Sequence, residues 1–313
     1  MKNYRILIFV LSICFSFFKT NGQQVDNTKP MYGEVEKSTE YKKIDEDFRN
    51  DCLLKFRSID SSVYIQVDYA WRYFYHDDLK TAMKRFNQGW LLNPDNPDSY
   101  FGFAALLEMQ KNNAEANRFY KIGLAKDKMN QRAKICYKRI ADCKEQLNDT
   151  AGVIDAYTKL AALYPGNSFA FKKIGYFQMQ SGNSEAAIKA YGKAIELDTA
   201  DASTYNNRAY LYQTQKNYSK AIADYTKSID LDAEYVSAYL NRGITEMQLN
   251  DNLAAKKDFE VCVKLDAKAG GLRKFLALAE LSLHDKAGAC KDLELAKNLG
   301  DEDADKLINE NCK

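Results

Sequence analysis

The sequence predicts an all-α protein built as a solenoid of short antiparallel helix pairs, and three observations predict it. Residues 168–201 and 202–235 spell one pattern twice, so that Gly175 and Ala209, Ala187 and Ala221, and Tyr191 and Tyr225 each stand 34 residues apart. Within each copy two helical patterns meet at a polar turn, the sequence form of a helix–turn–helix repeat. Columns of small and aromatic residues then carry that register over most of the chain. Finally, four prolines and fifteen glycines in 313 residues are too few for a loop-rich protein.

The first 22 residues predict a secretory signal peptide. Lys2 and Arg5 precede the apolar run 6–18, and Thr20-Asn21-Gly22 follow it; such a run is short for a bilayer core of ~30 Å. An uncleaved amino-terminal anchor is the alternative. Lipidation at Cys14 is disfavoured because Ile13 stands where a lipoprotein cleavage box needs a small residue. The leader holds Lys2, Arg5, Lys19 and no acid, so without it the formal charge of +2 falls to about −1. A near-neutral chain without a basic stripe argues against nucleic acid and anionic lipid as partners, and no later apolar run has membrane length. Residues 23–41, with Pro30 and Gly33 and no periodicity, predict a polar tether. Ile44, Phe48, Cys52 and Phe56 recur every four residues with Leu53 beside them, which makes 42–62 an amino-terminal capping helix.

Seven repeats follow over 63–301, as 63–96, 97–130, 134–167, 168–201, 202–235, 236–269 and 270–301. Their second helices carry a small residue at Ala82, Ala116, Val153, Ala187, Ala221, Ala255 and Ala289, and four residues on a large one at Phe86, Tyr120, Tyr157, Tyr191, Tyr225, Phe259 and Leu293. Their first helices carry Ala70, Ala104, Ala141, Gly175, Ala209, Gly243 and Ala277, with one three-residue insertion near 130–133. The small residue lets two helices approach, and the large one fills the gap to the next unit. On these columns the chain resembles the tetratricopeptide repeat (TPR) family, over about three quarters of its length. The resemblance implies a right-handed α-solenoid of TPR units with capping helices at both ends and a concave groove lined by the first helices. Pro94 and Pro165 fit the proline that closes a repeat, but Lys128, Thr199, Ala233, Ala267 and Asp301 replace it elsewhere. Lys144, Gln178, Glu246 and Glu280 stand where the family usually has the tyrosine kept at Tyr73 and Tyr212.

After Leu299-Gly300, residues 302–313 predict a carboxy-terminal capping helix with Ala304, Leu307 and Ile308 on one face. The acidic cluster Asp301, Glu302, Asp303 and Asp305 reads as a helix start, where carboxylates are favoured, not as a metal site. Cys290 and Cys312 lie eleven residues to either side of Asp301, so an antiparallel hairpin brings their thiols level, and an oxidising compartment would join them. Two free thiols are the alternative. Cys136 and Cys143 are too far apart along one helix to bridge. Cys262 falls in a small-residue column, and Cys52 has no evident partner.

Catalytic chemistry is poorly served. His76 and His284 lie in the first and last repeats, near turns, and cannot complete a triad or zinc site together. There is no phosphate-loop motif, and no cofactor is expected. The expected site is the groove: Trp71, Phe74, Tyr75 and Phe101 at its amino end, then Lys138, Arg139, Lys172 and Lys173, then Tyr176, Asn206, Asn207, Tyr210 and Asn241. Rings supply contact area, amides bond a peptide backbone, and the basic band suits an acidic segment or terminal carboxylate. The plain alternative is that the rings cover helix seams and the lysines are solvated. Read against the chaperone-binding clamp of some TPR proteins, only Lys172 and Asn207 match, two positions of five. The sequence thus predicts an exported, periplasmic or secreted, non-enzymatic scaffold for a protein or peptide. An envelope enzyme subunit whose activity depends on a partner is the second reading.

Overall fold

The structure is a computed structural model that describes residues 25–312. The expected signal peptide, 1–22, and the first residues of the expected tether lie outside the described residues. All regular structure described is helical: α1 (Thr39–Phe56), α2 (Ile59–Tyr75), α3 (Leu79–Leu92), α4 (Pro97–Met109), α5 (Asn113–Lys126), α6 (Ala133–Gln146), α7 (Thr150–Leu163), α8 (Ser168–Gln180), α9 (Ser184–Leu197), α10 (Ala202–Thr214), α11 (Tyr218–Leu231), α12 (Val236–Gln248), α13 (Asn252–Leu265), α14 (Gly270–Ser282), α15 (Lys286–Asn298) and α16 (Ala304–Asn311). An all-α solenoid of helix pairs is the fold. The chain forms two compact units, 1–143 and 144–313, with the division near the end of α6.

One device makes every helix pair. The residue closing the first helix adopts a left-handed conformation at Asp77, Lys111, Asn148, Gly182, Lys216, Asn250 and His284, which repeats the period of the columns. Only Gly182 does so without the steric penalty of a side chain. The next residue is always Asp or Asn, a good helix cap. Asp78 accepts from the Thr81 amide at 3.0 Å, Asp149 from Gly152 at 2.8 Å, Asp251 from Ala254 at 3.1 Å and Asp285 from Gly288 at 2.9 Å. The polar turns seen in sequence are therefore one repeated reversal. The three-residue insertion is organised by Asp127, whose carboxylate accepts from the amides of Gln131 and Arg132 and so leads into α6.

The columns pack as their residue types require. All seven small residues of the second helices, and Phe86, Tyr191, Tyr225, Phe259 and Leu293, are fully buried. Gly102 lies against the Phe86 ring, and a Cβ on Gly175 or Gly243 would stand 2.7 Å from Tyr191 or Phe259. These glycines mark close approach, where a ring occupies the space of a side chain.

In unit 1 two expectations need correction. The capping helix is α1 alone, and α2 starts at Ile59, so 59–62 belong to the first repeat. Only Cys52 of the α1 stripe is buried, and Ile44 is exposed. The helix docks through the Arg49 guanidinium, which donates to the Leu91 carbonyl at the end of α3. Nor is the stretch 26–37 a free tether. A left-handed turn at Met31 and Tyr32 buries the Tyr32 ring, with Trp90 6.4 Å away. The buried Asn87 amide on α3 donates to the carbonyls of Asn27 (3.2 Å) and Lys29 (2.9 Å), and Glu34 pairs with Arg118 on α5. Lacking periodicity, this packing left no signature in the sequence.

In unit 2, α16 closes the array. Leu307, Ile308 and Cys312 pack on Ala277, Ala289 and Leu293, and Cys312 is bonded to Cys290, with their Cα atoms 5.7 Å apart.

Candidate functional site

In unit 1 the first helices α2, α4 and α6 enclose a cavity of about 570 Å³. Trp71, Phe74 and Tyr75 come from α2, Phe101, Ala105, Glu108 and Met109 from α4, and Ile135, Cys136 and Arg139 from α6. Tyr75, Met109 and Ile135 are 77%, 58% and 62% exposed and together place apolar surface at the rim of this cavity. Trp71 stacks on Tyr75 (6.1 Å between ring centres) and meets Phe74 and Phe86 edge-on. Phe101 was expected at the groove surface but is buried, its ring against Gly123. It shapes the floor and offers little contact area. Arg139 is held by Glu108 at 3.0 Å, and Glu108 also accepts from the Tyr120 hydroxyl at 2.9 Å. Lys138 is exposed on α6 and does not line the cavity.

A second cavity, of about 360 Å³, continues from the first and shares Trp71 and Arg132 with it. Asp60, Val63, Tyr64, Val67 and Asp68 line it from α2, with Asn96 and Asp98 opposite. Arg132 pairs with Asp98 at 2.5 Å, and Asp68 with Arg72 at 2.8 Å. Sequence reasoning missed Met109, Ile135 and this acidic end. Exposed apolar residues on first helices, off the packing columns, were the signal that could have found the first two.

In unit 2 the expected residues lie on α8, α10 and α12, but many are already engaged. The Lys172 ammonium donates to Asp201 and Ser203, both at 2.6 Å. Burial alone would raise the Asp201 carboxyl, yet hydrogen bonds from Lys172, Ser203 and Thr204 hold it at about 2. Asp201 caps α10, so Lys172 serves that cap and is not free to meet an anion. Lys173 lies over the Phe169 ring at 5.7 Å. Asn206 is buried and accepts from Asn241 at 3.2 Å. Asn207 is half-buried, and Tyr176 and Tyr210 are exposed. The basic band of the sequence is thus distributed over two units, and Arg139 and Lys172 are internally paired.

The positions that replace the repeat tyrosine make polar contacts within unit 2. Lys144 pairs with Asp149, Gln178 accepts from Asn183 at 2.9 Å, and Glu280 meets Lys256 at 3.0 Å. Between α10 and α11, Arg208 grips Asp224 with two bonds (2.7 and 2.8 Å), and one period later, between α12 and α13, Arg242 grips Asp258 (both 2.8 Å). These forked pairs are spacers between helices, not a reactive cluster.

His284 is a turn residue with φ 63°, and the His76 ring contacts the Arg72 carbonyl. Burial pushes the thiols of Cys136, Cys143 and Cys262 up to about 12, which suits inert side chains. Among the described residues no group of three or more His, Cys, Asp or Glu could hold a metal, and no helix is long and apolar enough to cross a membrane.

The fold defines a helical-repeat protein, with an aromatic-lined cavity on the first helices of unit 1. Three stretches match known repeat families: residues 202–235 and 236–268 match tetratricopeptide repeat models, and residues 175–216 match a TPR repeat model. Among curated proteins no sequence matches. Solved structures with the same fold include the C-terminal part of a TPR repeat-containing protein from Cytophaga hutchinsonii, 18% identical, with a TM-score of 0.65 over 77% of this chain and 98% of that one. The MamA protein is 23% identical, with a TM-score of 0.51 over 56% of this chain and 95% of its own. YrrB, described as a TPR protein with an unusual peptide-binding site, is 17% identical, with a TM-score of 0.50 over 64% of this chain and 97% of its own.

Proposed function

We propose that this chain is a non-enzymatic scaffold that docks a protein or peptide on its first helices, in the cell envelope or outside the cell. The observation that carries the reading is the cavity of about 570 Å³ on α2, α4 and α6, rimmed by exposed Tyr75, Met109 and Ile135. A preformed apolar cleft with few polar groups is built to receive a side chain. Peptide binding by YrrB on the same fold supports the reading by analogy. The basic leader and the Cys290–Cys312 bond support an exported location. An acidic partner draws less support, since Lys172 and Arg139 already hold carboxylates.

A photocrosslinking residue placed at Tyr75, in the full chain expressed in its own cells, is expected to give one dominant adduct that Ile135→Glu removes. Amino-terminal sequencing of the same material should begin near residue 23. A lack of any adduct from Tyr75 would overturn the docking face, and turnover by the purified chain alone would favour the enzyme reading.

A further inference from the structure

Resting on the docking reading, we infer that the occupant of this face is an extended peptide carrying a bulky apolar side chain and, about six residues away, a basic one. The apolar end is the larger cavity with Tyr75, Met109 and Ile135 at its rim. The basic end is set by the smaller cavity. Asp60, Tyr64 and Asp68 follow one another at four-residue intervals along α2, so they share one helix face, and all three line that cavity. Among the described residues Arg132 is its only lining cation and is engaged by Asp98, while Asp68 is engaged by Arg72. Asp60 is exposed and forms no ion pair with any of the described residues, and Tyr64 beside it is 73% exposed. A free carboxylate next to an open phenol ring is a cradle for an ammonium or guanidinium group, which the ring face attracts as well. Asp60 and Phe74 are fourteen residues apart on α2, about 21 Å at the helical rise, and an extended peptide covers that in roughly six residues. The charge of this end is opposite to what the basic band of the sequence suggests, because those basic residues sit elsewhere or are already paired.

The test uses the full chain and four fluorescent ten-residue peptides on a glycine–serine background, followed by polarisation. One has Phe and Lys six residues apart, a second reverses their order, a third has Phe with Glu, and a fourth has Ala with Lys. One of the Phe–Lys peptides is expected to bind at least tenfold more tightly than the Phe–Glu and Ala–Lys peptides. Asp60→Lys should erase that preference and improve the Phe–Glu peptide, and Ile135→Glu should weaken all Phe peptides. Both substituted residues are exposed, and an unchanged helical melt confirms folding. Equal or tighter binding of the Phe–Glu peptide overturns the inference, as does unchanged binding in Asp60→Lys. If no peptide binds while the Tyr75 adduct still forms, the inference fails and the scaffold reading stands. Loss of the adduct as well removes both.

Discussion

Glu246 illustrates what a single residue reports about its neighbours. It stands on α12 beside Arg242, but Arg242 is held by Asp258 at 2.8 Å through two bonds and reaches Glu246 only at 3.9 Å. Burial first, then the negative charges of Asp258 and Asp251, raise the Glu246 carboxyl to about 7, with Arg242 opposing. A carboxyl whose folded pKa lies above its unfolded value stabilises the fold most when protonated. That stability falls as pH rises from about 4.5, the unfolded range, to 7, and is flat above. Glu246→Gln is therefore expected to raise stability at pH 8 by about 1–2 kcal/mol and to have almost no effect at pH 4. Urea melts at the two pH values check this, and equal effects at both would contradict it. The sequence marked this position as unusual because a tyrosine is common there, but it could not show the partners. Asp258 lies on the next helix, and Asp201, which engages Lys172 of α8, lies in the cap of α10, two helices on. Small and aromatic residues were legible because their role depends on size and period alone. Charged ones were not, because their role depends on which opposite charge comes within reach.

At the scale of an element, α16 depends on covalent attachment. Eight residues are too few for a stable helix in isolation, and its apolar anchorage is the fully buried Ala304 with Leu307, Ile308 and Cys312, the last three on the Ala277–Ala289–Leu293 cluster. The Cys290–Cys312 bond closes a separation of 22 residues, worth about 3 kcal/mol by the loop-entropy argument. Cys312→Ser is expected to lower the melting temperature and to open the chain to proteolysis near residues 299–303, with α2 to α5 unaffected. Reductant should reproduce this in the parent chain and change nothing in the variant. An unaltered proteolytic pattern would show that packing alone holds α16. The pairing was readable from the symmetry of the two cysteines about a turn. The strap at 26–37 was not, because its anchors are one buried tyrosine in a left-handed turn, the Asn87 hydrogen bonds and the Glu34–Arg118 pair, which have no period to detect.

At the scale of the whole molecule, the repeated reversal and the columns mean that within each unit a helix pair is stabilised by its neighbours. Stability should then be approximately a sum of pair terms and interface terms, so damage to one pair spreads only as far as the interfaces carry it. Gly243 is the sharpest place to test this, because a Cβ there would meet the Phe259 ring at 2.7 Å and that ring is fully buried. Gly243→Val is expected to cost about 1–3 kcal/mol through overpacking. Hydrogen exchange should show the largest loss of protection in α12 and α13, a smaller loss in α10, α11, α14 and α15, and none resolved in α8 and α9. The forked pair Arg242–Asp258 spans the same α12–α13 seam, and Arg208–Asp224 spans the preceding pair, α10–α11. A uniform loss from α7 through α16 would show instead that unit 2 unfolds as one cooperative body, with the interfaces stronger than the pairs they join.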